Sequence, residues 1–224
     1  MTGQIALVGG DEFRKGCEEM DRAILGATGQ KNPSVLIVPT AAARQHPSKA
    51  ASNGVAYFSD LGADASALMV IETRDANDDD LLQPVDAADM VYLTGGDPAH
   101  LLDALSGSAL LRKINAALER GAIVAGSSAG AMVMGLRMRF KEWRKALGLV
   151  SVVTLPHHER SDPDRVAAEL ARAAPEGLTV LGIDAMTACL RGPDAWSALG
   201  AGRVTVYRDG HWQQFESGET VELD

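Results

Sequence analysis

Ser128 stands at the centre of Gly126-Ser127-Ser128-Ala129-Gly130, a Gly-x-Ser-x-Gly string. Ala122 to Ala125, just ahead of it, read as a short apolar strand, and Met132 to Met134 read as the first turns of a helix. A strand that turns sharply into a helix can present one serine hydroxyl at the top of a sheet, the arrangement called a nucleophile elbow. Such a turn brings backbones close together, and Gly126, Ala129, Gly130 and Ala131 are all small enough to allow it. A Ser/Gly-rich turn without chemistry can spell the same five residues, and the strand before and the helix after are what favour a nucleophile. A serine hydroxyl attacks a carbonyl only when a base takes its proton. His157 and His158 are the candidates, since they follow the apolar run Val150 to Leu155 and so lie at a strand's carboxyl end. Successive strand residues face opposite ways, so only one of the pair can turn toward Ser128. The same alternation disfavours a zinc site that uses both. His46, His100 and His211 are scattered. An acid usually fixes the tautomer of the base, and position offers Asp184, at the end of another strand, and Glu142, in the segment after the elbow helix.

The elements that must position these groups alternate. Gln4 to Val8, Val35 to Val38, Ala67 to Ile71, Met90 to Leu93 and Leu178 to Ile183 read as strands. Helices are expected over Arg14 to Leu25, Pro47 to Leu61 and Pro163 to Ala173, with another starting at Pro98. Alternating strands and helices predict a parallel sheet with right-handed crossovers, whose ligands bind beyond the carboxyl ends of its strands. Gly9-Gly10, Pro39-Thr40, Gly95-Gly96 and Ser128 all fall at such ends and should converge on one edge. Gly9-Gly10-Asp11-Glu12-Phe13 also spells a nucleotide-cyclase signature, but a turn after the first strand explains it better. Asp75 to Asp80 reads as a solvated acidic loop rather than a metal site. Arg137 to Arg144 reads as a basic surface loop, with a lid or an acidic-substrate clamp as its functional alternative. Thr187 to Arg191, Ser197 to Ala201 and Arg203 to Tyr207 read as closing antiparallel strands, with Asp209-Gly210 as a hairpin turn.

A chain of 224 residues with a net charge of -9 and 4% aromatic residues suits one α/β domain over 1–224. The acidic balance argues against nucleic acid or a membrane surface as partner. No apolar run is long enough to span a bilayer. Met1-Thr-Gly-Gln carries no basic region and leads straight into a strand, so no signal peptide is expected and a cytoplasmic location is the default. Cys17 and Cys189 fall in apolar patterns and should be reduced, buried thiols.

Taken together, Val38-Pro39-Thr40-Ala41, Leu93-Thr94-Gly95-Gly96-Asp97, Gly126-Ser127-Ser128-Ala129-Gly130-Ala131, Leu155-Pro156-His157, Gly182-Ile183-Asp184-Ala185-Met186-Thr187-Ala188 and Val204-Thr205-Val206 resemble the peptidase E and cyanophycinase family of serine peptidases. The motifs occur in the family's order and span nearly the whole chain. The resemblance implies a three-layer, doubly wound, mostly parallel α/β sheet of the class I glutamine amidotransferase-like type, here with a C-terminal antiparallel extension. It implies Ser128 as nucleophile, His157 as base, and an oxyanion hole from the backbone N–H groups of Gly96 and Ala129. Asp97 beside Gly96, and Arg160 after the histidines, complete the substrate-binding candidates. Family members are dipeptidases that prefer an N-terminal aspartate, or enzymes that cut β-aspartyl-arginine dipeptides from cyanophycin. This chain departs from them in places. Cyanophycinase-like members carry their triad glutamate where Ala185 stands. Peptidase E-like members take an aspartate from the loop after the elbow, where Trp143 stands with Glu142 beside it. The residue after the histidine, usually aromatic, is His158. The arginine cluster of cyanophycinases is reduced to Arg160 and Arg165.

The function expected is a serine exopeptidase that hydrolyses aspartyl or β-aspartyl dipeptides through an acyl-enzyme. Its alternative is a binding protein that kept the fold after losing the acid at Ala185. A glutamine amidotransferase is the weaker third reading, since that chemistry uses a cysteine at the elbow. No cofactor or metal is expected. The expected partners are a small peptide substrate and, at most, a second copy of the chain in a homodimer.

Overall fold

Side-chain alternation assigns each central strand to two cores at once. In the computed structural model, which describes residues 3–223, the chain runs β1 (Gln4–Val8), α1 (Glu18–Gly26), β2 (Ser34–Val38), α2 (Pro47–Asp60), β3 (Asp64–Ala67), β4 (Met90–Leu93), α3 (Pro98–Leu105), α4 (Ala109–Arg120), β5 (Ile123–Ser127) and α5 (Ala129–Met134). On one sheet face Ile5, Leu7, Leu36, Val38, Val91, Leu93 and Val124 pack against Leu101 of α3, Ile114 of α4 and Val133 of α5. On the other, Ala6, Val8, Val35, Ile37, Met90, Tyr92, Ile123 and Ala125 pack against Met20 and Ile24 of α1 and Phe58 of α2. A strand buried on both faces has no polar alternate positions, which is why these segments are continuous apolar runs. The result is a sheet between two helical layers, the three-layer α/β architecture expected.

The remainder of the chain builds more than an extension. After the hairpin β6 (Arg137–Phe140) and β7 (Glu142–Lys145) come β8 (Val152–Leu155), α6 (Pro163–Ala173), β9 (Thr179–Ile183), β10 (Thr187–Arg191), β11 (Trp196–Gly200), β12 (Val204–Arg208), β13 (His211–Phe215) and β14 (Thr220–Val221). The large sheet has the order β14-β11-β10-β1-β5-β4-β2-β3. Its β1, β5, β4, β2 and β3 are parallel, and β10, β11 and β14 add antiparallel to the β1 edge. The strands β13-β12-β9-β8 form a second, four-stranded sheet, with β8 and β9 parallel. The strand β8, which leads to His157, therefore does not belong to the same sheet as β5, which leads to Ser128. Apolar content alone could not show this, because two stacked sheets and one wide sheet demand the same buried runs.

Three local expectations shift. The first helix begins at Glu18 rather than Arg14, because residues 11–16 form a looped turn that contains Asp11 and Phe13 at φ 57° and 61°. The third strand is Asp64–Ala67, so it starts three residues earlier and ends four earlier than the apolar run suggested. Pairing along β2 stops where Pro39, with no N–H, ends it; Leu68 and Val70 stay buried without continuing the ladder. The basic segment after the elbow is not a loop but the β6–β7 hairpin. It is pinned by the Arg144–Asp103 pair at 2.9 Å and by an Arg139–Glu169 pair to α6.

One buried carboxyl makes a stability prediction. Asp21 is 1% exposed on the inner face of α1; one oxygen accepts from Tyr57 Oη at 2.8 Å and the other has no partner among the described residues. Burial pushes its pKa up to about 7 against the opposing Tyr57 hydrogen bond. A carboxyl raised in the folded state holds its proton longer than in the unfolded chain. Its contribution is therefore fully present below the unfolded pKa near 4 and is lost as pH rises toward 7. Asp21→Asn is expected to remove this loss. Its melting temperature should stay level between pH 5 and 8 while that of the parent falls, with a gap of up to about 4 kcal/mol at pH 8. Parallel melting curves that keep a constant offset across that range would refute the assignment.

Candidate active site

The end of β1 is the fixture on which the site is assembled. Its last carbonyl, of Val8, accepts the N–H of Ser128 at 2.9 Å. The next, of Gly9, accepts the N–H of His157 at 2.8 Å, and that of Gly10 accepts the N–H of Met186 at 3.0 Å. Three successive carbonyls thus hold the elbow, the strand end after β8 and the turn after β9. The first and second of these belong to different sheets. Backbone hydrogen bonds fix their relative position, so it does not depend on flexible side chains.

Ser128 takes φ 48° and ψ -105°, outside the regions an L-residue prefers. Strain of this kind costs about 1–3 kcal/mol and persists only where the surroundings over-determine it. Here they do. A Cβ on Gly130 would lie 2.3 Å from the Leu93 carbonyl oxygen, and one on Gly126 would lie 2.6 Å from the Gly130 backbone. The elbow closes only because both are glycine. His157 also has positive φ, 53°, and directs its ring back over β1, where Nε2 lies 3.1 Å from Ser128 Oγ. His158 turns inward: it is buried, and its Nε2 meets Tyr207 Oη at 2.7 Å. Desolvation lowers its pKa, partly offset by the charges of Asp184 and Glu159.

Four further groups expected at the site divide. The N–H groups of Gly96 and Ala129 have no hydrogen-bond acceptor among the described residues; Gly96 follows β4 and Ala129 is the first residue of α5. Asp97 is committed elsewhere, since its Oδ1 caps α3 by accepting from the N–H groups of Ala99 and His100 at 2.9 and 3.2 Å. Arg160 is exposed at the end of the short 3-10 turn His158–Arg160.

Neither proposed acid is hydrogen-bonded to His157. Glu142 opens β7 at the hairpin tip, exposed and opposite Phe140. The segment that sequence spacing treats as a free loop is a hairpin, and its pairing sets the direction of this side chain. Asp184 is buried and its Oδ2 accepts the Arg203 N–H at 2.9 Å, with the Arg203 guanidinium 3.8 Å away. It ties the end of β9 to the start of its sheet neighbour β12. The cysteines are no substitute nucleophile. Cys17 and Cys189 are buried free thiols, and desolvation pushes Cys17 up to about 11 and Cys189 higher still.

Sequence reasoning placed Glu12 in the turn after the first strand but gave it no part in the site. Glu12, in the turn after β1, accepts the Gly95 N–H at 2.7 Å with Oε1 and the Ser127 hydroxyl at 2.8 Å with Oε2. It ties the residue before Ser128 to the residue before Gly96. Its only trace in the sequence is its place two residues beyond the Gly9-Gly10 strand end. The two segments it joins lie 83 and 115 residues away.

A hydroxyl on a strained elbow, with an imidazole within hydrogen-bond reach and an unengaged N–H on the residue that follows it, is equipment for acyl transfer. Fold and site together define an α/β hydrolytic enzyme of the serine type. Residues 5–194 match peptidase family S51, and the chain belongs to that family, the serine-type peptidases. Its relatives include a cyanophycinase of Trichormus variabilis, 27% identical over 90% of this chain and 72% of that one, and a cyanophycinase of Geminocystis herdmanii, 26% identical over 92% and 80%. The crystal structure of a peptidase from an acI-B1 Actinobacterium superposes with a TM-score of 0.87 at 27% identity, covering 100% of this chain and 98% of that one. A putative peptidase E protein from Listeria monocytogenes EGD-e shares the fold at 16% identity, with a TM-score of 0.66 over 90% of this chain and 100% of that one.

Proposed function

We propose that the protein is an exopeptidase for small acidic dipeptides, aspartyl or β-aspartyl, working through a Ser128–His157 acyl-enzyme. The observation that carries the reading is the 3.1 Å approach of His157 Nε2 to Ser128 Oγ at an elbow held in positive φ. In the proposed cycle His157 takes the Ser128 proton as Oγ attacks the scissile carbonyl. The oxyanion that forms is met by the N–H groups of Gly96 and Ala129. The tetrahedral adduct collapses as His157 returns the proton to the leaving amine. Water, deprotonated by the same imidazole, then hydrolyses the ester and frees the acidic product. The substrate class rests on the cyanophycinase relatives and on Arg160, an exposed cation two residues past the 3-10 turn's His158. Its charge suits a carboxylate brought up to this edge.

The test is amine release from L-aspartyl, β-aspartyl and alanyl dipeptides and from an N-acetylated aspartyl dipeptide. The acidic dipeptides with a free N-terminus are expected to turn over at least about tenfold faster than the others, the scale of discrimination a single charged contact provides. Release no faster than that of Ser128→Ala, or equal rates on alanyl and acetylated substrates, would contradict the proposal.

A further inference from the structure

Under the acyl-enzyme reading, the Gly96 N–H can serve the oxyanion only if the loop after β4 keeps a fixed offset from Ser128. A donor displaced by about 1 Å loses much of its effect. Both neighbours of that N–H are tied. On one side the Asp97 N–H donates to the Ala41 carbonyl at 2.7 Å. A Cβ on Gly96 would lie 2.2 Å from the same carbonyl oxygen, so the loop lies close against Ala41. On the other side the Gly95 N–H donates to Glu12 Oε1 at 2.7 Å. The second oxygen of that carboxylate accepts the hydroxyl of Ser127, the residue before Ser128, at 2.8 Å. One planar group therefore spans the loop and the elbow. The other carboxylates along this edge do not: Asp97 caps α3, Asp184 holds Arg203, and Glu159 accepts the Ala185 N–H at 3.0 Å.

Glu12 is seated by its neighbour. Phe13 has φ 61°, rare for a bulky residue. Its ring packs on those of Tyr57, Phe58 and Tyr92, with centroids 5.7, 5.8 and 5.2 Å away. These contacts hold the turn after β1 in place, and from that turn Glu12 reaches the two segments. We infer that Glu12 is a positioning residue: its carboxylate is the brace that sets the Gly96 N–H relative to Ser128. The inference rests on the acyl-enzyme reading and adds one residue to it. Glu12 takes no proton in the cycle; its role is geometric, carried by the two hydrogen bonds it accepts.

Three variants separate this role from a structural one. Glu12→Ala removes the brace. Its kcat on the acidic dipeptides should fall about 10²-fold, the low end of what losing one oxyanion donor costs, with KM changed less than about twofold. Glu12→Gln should keep kcat within about fivefold of the parent, since its amide oxygen can accept the Gly95 N–H and its NH₂ can donate to the Ser127 oxygen. Gly95 lacks the positive φ of Gly96, but a Cβ there would lie 2.9 Å from Glu12 Oε1 and push the carboxylate aside. Gly95→Ala should lose about tenfold by itself, and less than about twofold more in the Glu12→Ala background, where nothing is left to displace. Fluorophosphonate capture at Ser128 should slow in the same order, because the reagent's phosphoryl oxygen takes the oxyanion's place. That readout does not depend on the substrate. A residue that served stability alone would lower the melting temperature of Glu12→Ala and leave kcat, measured well below that temperature, at the parental value. That result would overturn the inference, as would a fall in Glu12→Gln equal to that in Glu12→Ala, or losses in Glu12→Ala and Gly95→Ala that multiply. Gly95→Ala at parental kcat and parental capture rate would overturn it even where Glu12→Ala does not fold. In each of these cases Ser128→Ala stays inactive and the acyl-enzyme reading stands. Parental dipeptide release by Ser128→Ala would overturn both.

Discussion

Substituting His157 by alanine is expected to lower turnover roughly 10⁴–10⁶-fold, the range seen when a base that works as a unit with its serine is removed. The geometry makes the effect specific to that position. His157 Nε2 is 3.1 Å from Ser128 Oγ, whereas the adjacent His158 is buried and engaged with Tyr207 Oη at 2.7 Å. His158→Ala should therefore reverse the pattern. It opens a cavity, leaves a buried hydroxyl without its partner and costs about 1–3 kcal/mol of stability. That cost should lower the melting temperature by several degrees while most of the activity survives. Steady-state rates and thermal melts of the two variants, measured side by side, check both halves. Full activity in His157→Ala and loss in His158→Ala would reverse the assignment.

The second large effect is expected at a residue with no side chain. The His157 ring lies against the Cα of Gly10, so a Cβ there would sit 2.2 Å from Cε1 and 2.6 Å from Nε2. The ring must move about 1 Å or more to escape, and a displacement of that size can cost about 10²-fold in rate. Gly10 also has φ 133°, which strains any other residue. Gly62 supplies the control, since it has φ 95° with nothing within 4 Å of an added Cβ. Gly10→Ala and Gly62→Ala should both lose stability, but only Gly10→Ala should lose turnover by about 10²-fold. Equal activity in the two would show that the ring has room to move without losing its grip on Ser128.

The two layers of the account differ in how far they can be read from sequence. The parallel core is legible because β1, β2, β4 and β5 are continuous apolar runs buried on both faces. The elbow is legible because its steric demand is local: Gly126 and Gly130 must be small so that one turn can close. The β8–β9–β12–β13 sheet is not, since the same apolar runs satisfy one wide sheet or two packed ones. The acids mark the same boundary. Sequence distance suggests Glu142 and Asp184, whereas hairpin register fixes the direction of the first and the Arg203 backbone occupies the second. Glu12 and Glu159 gain their places through hydrogen bonds to Gly95, Ser127 and Ala185, contacts made by tertiary folding and absent from any local pattern. Asp97 is a case where local chemistry overrides proximity: next to Gly96 it reads as part of a binding site, yet Asp before Pro98 is also a strong helix cap, and that is how it is used.

The central claim is that Ser128 is a base-activated nucleophile, and the most direct measurement is covalent capture. The protein is treated with a fluorophosphonate, whose phosphorus reacts with an activated serine hydroxyl and expels fluoride, and the adduct is mapped by peptide mass spectrometry. The predicted result is one adduct, on Ser128, absent in Ser128→Ala and formed at least about 10²-fold more slowly in His157→Ala. An adduct on another residue, or labelling of Ser128 at the same rate without His157, would contradict it.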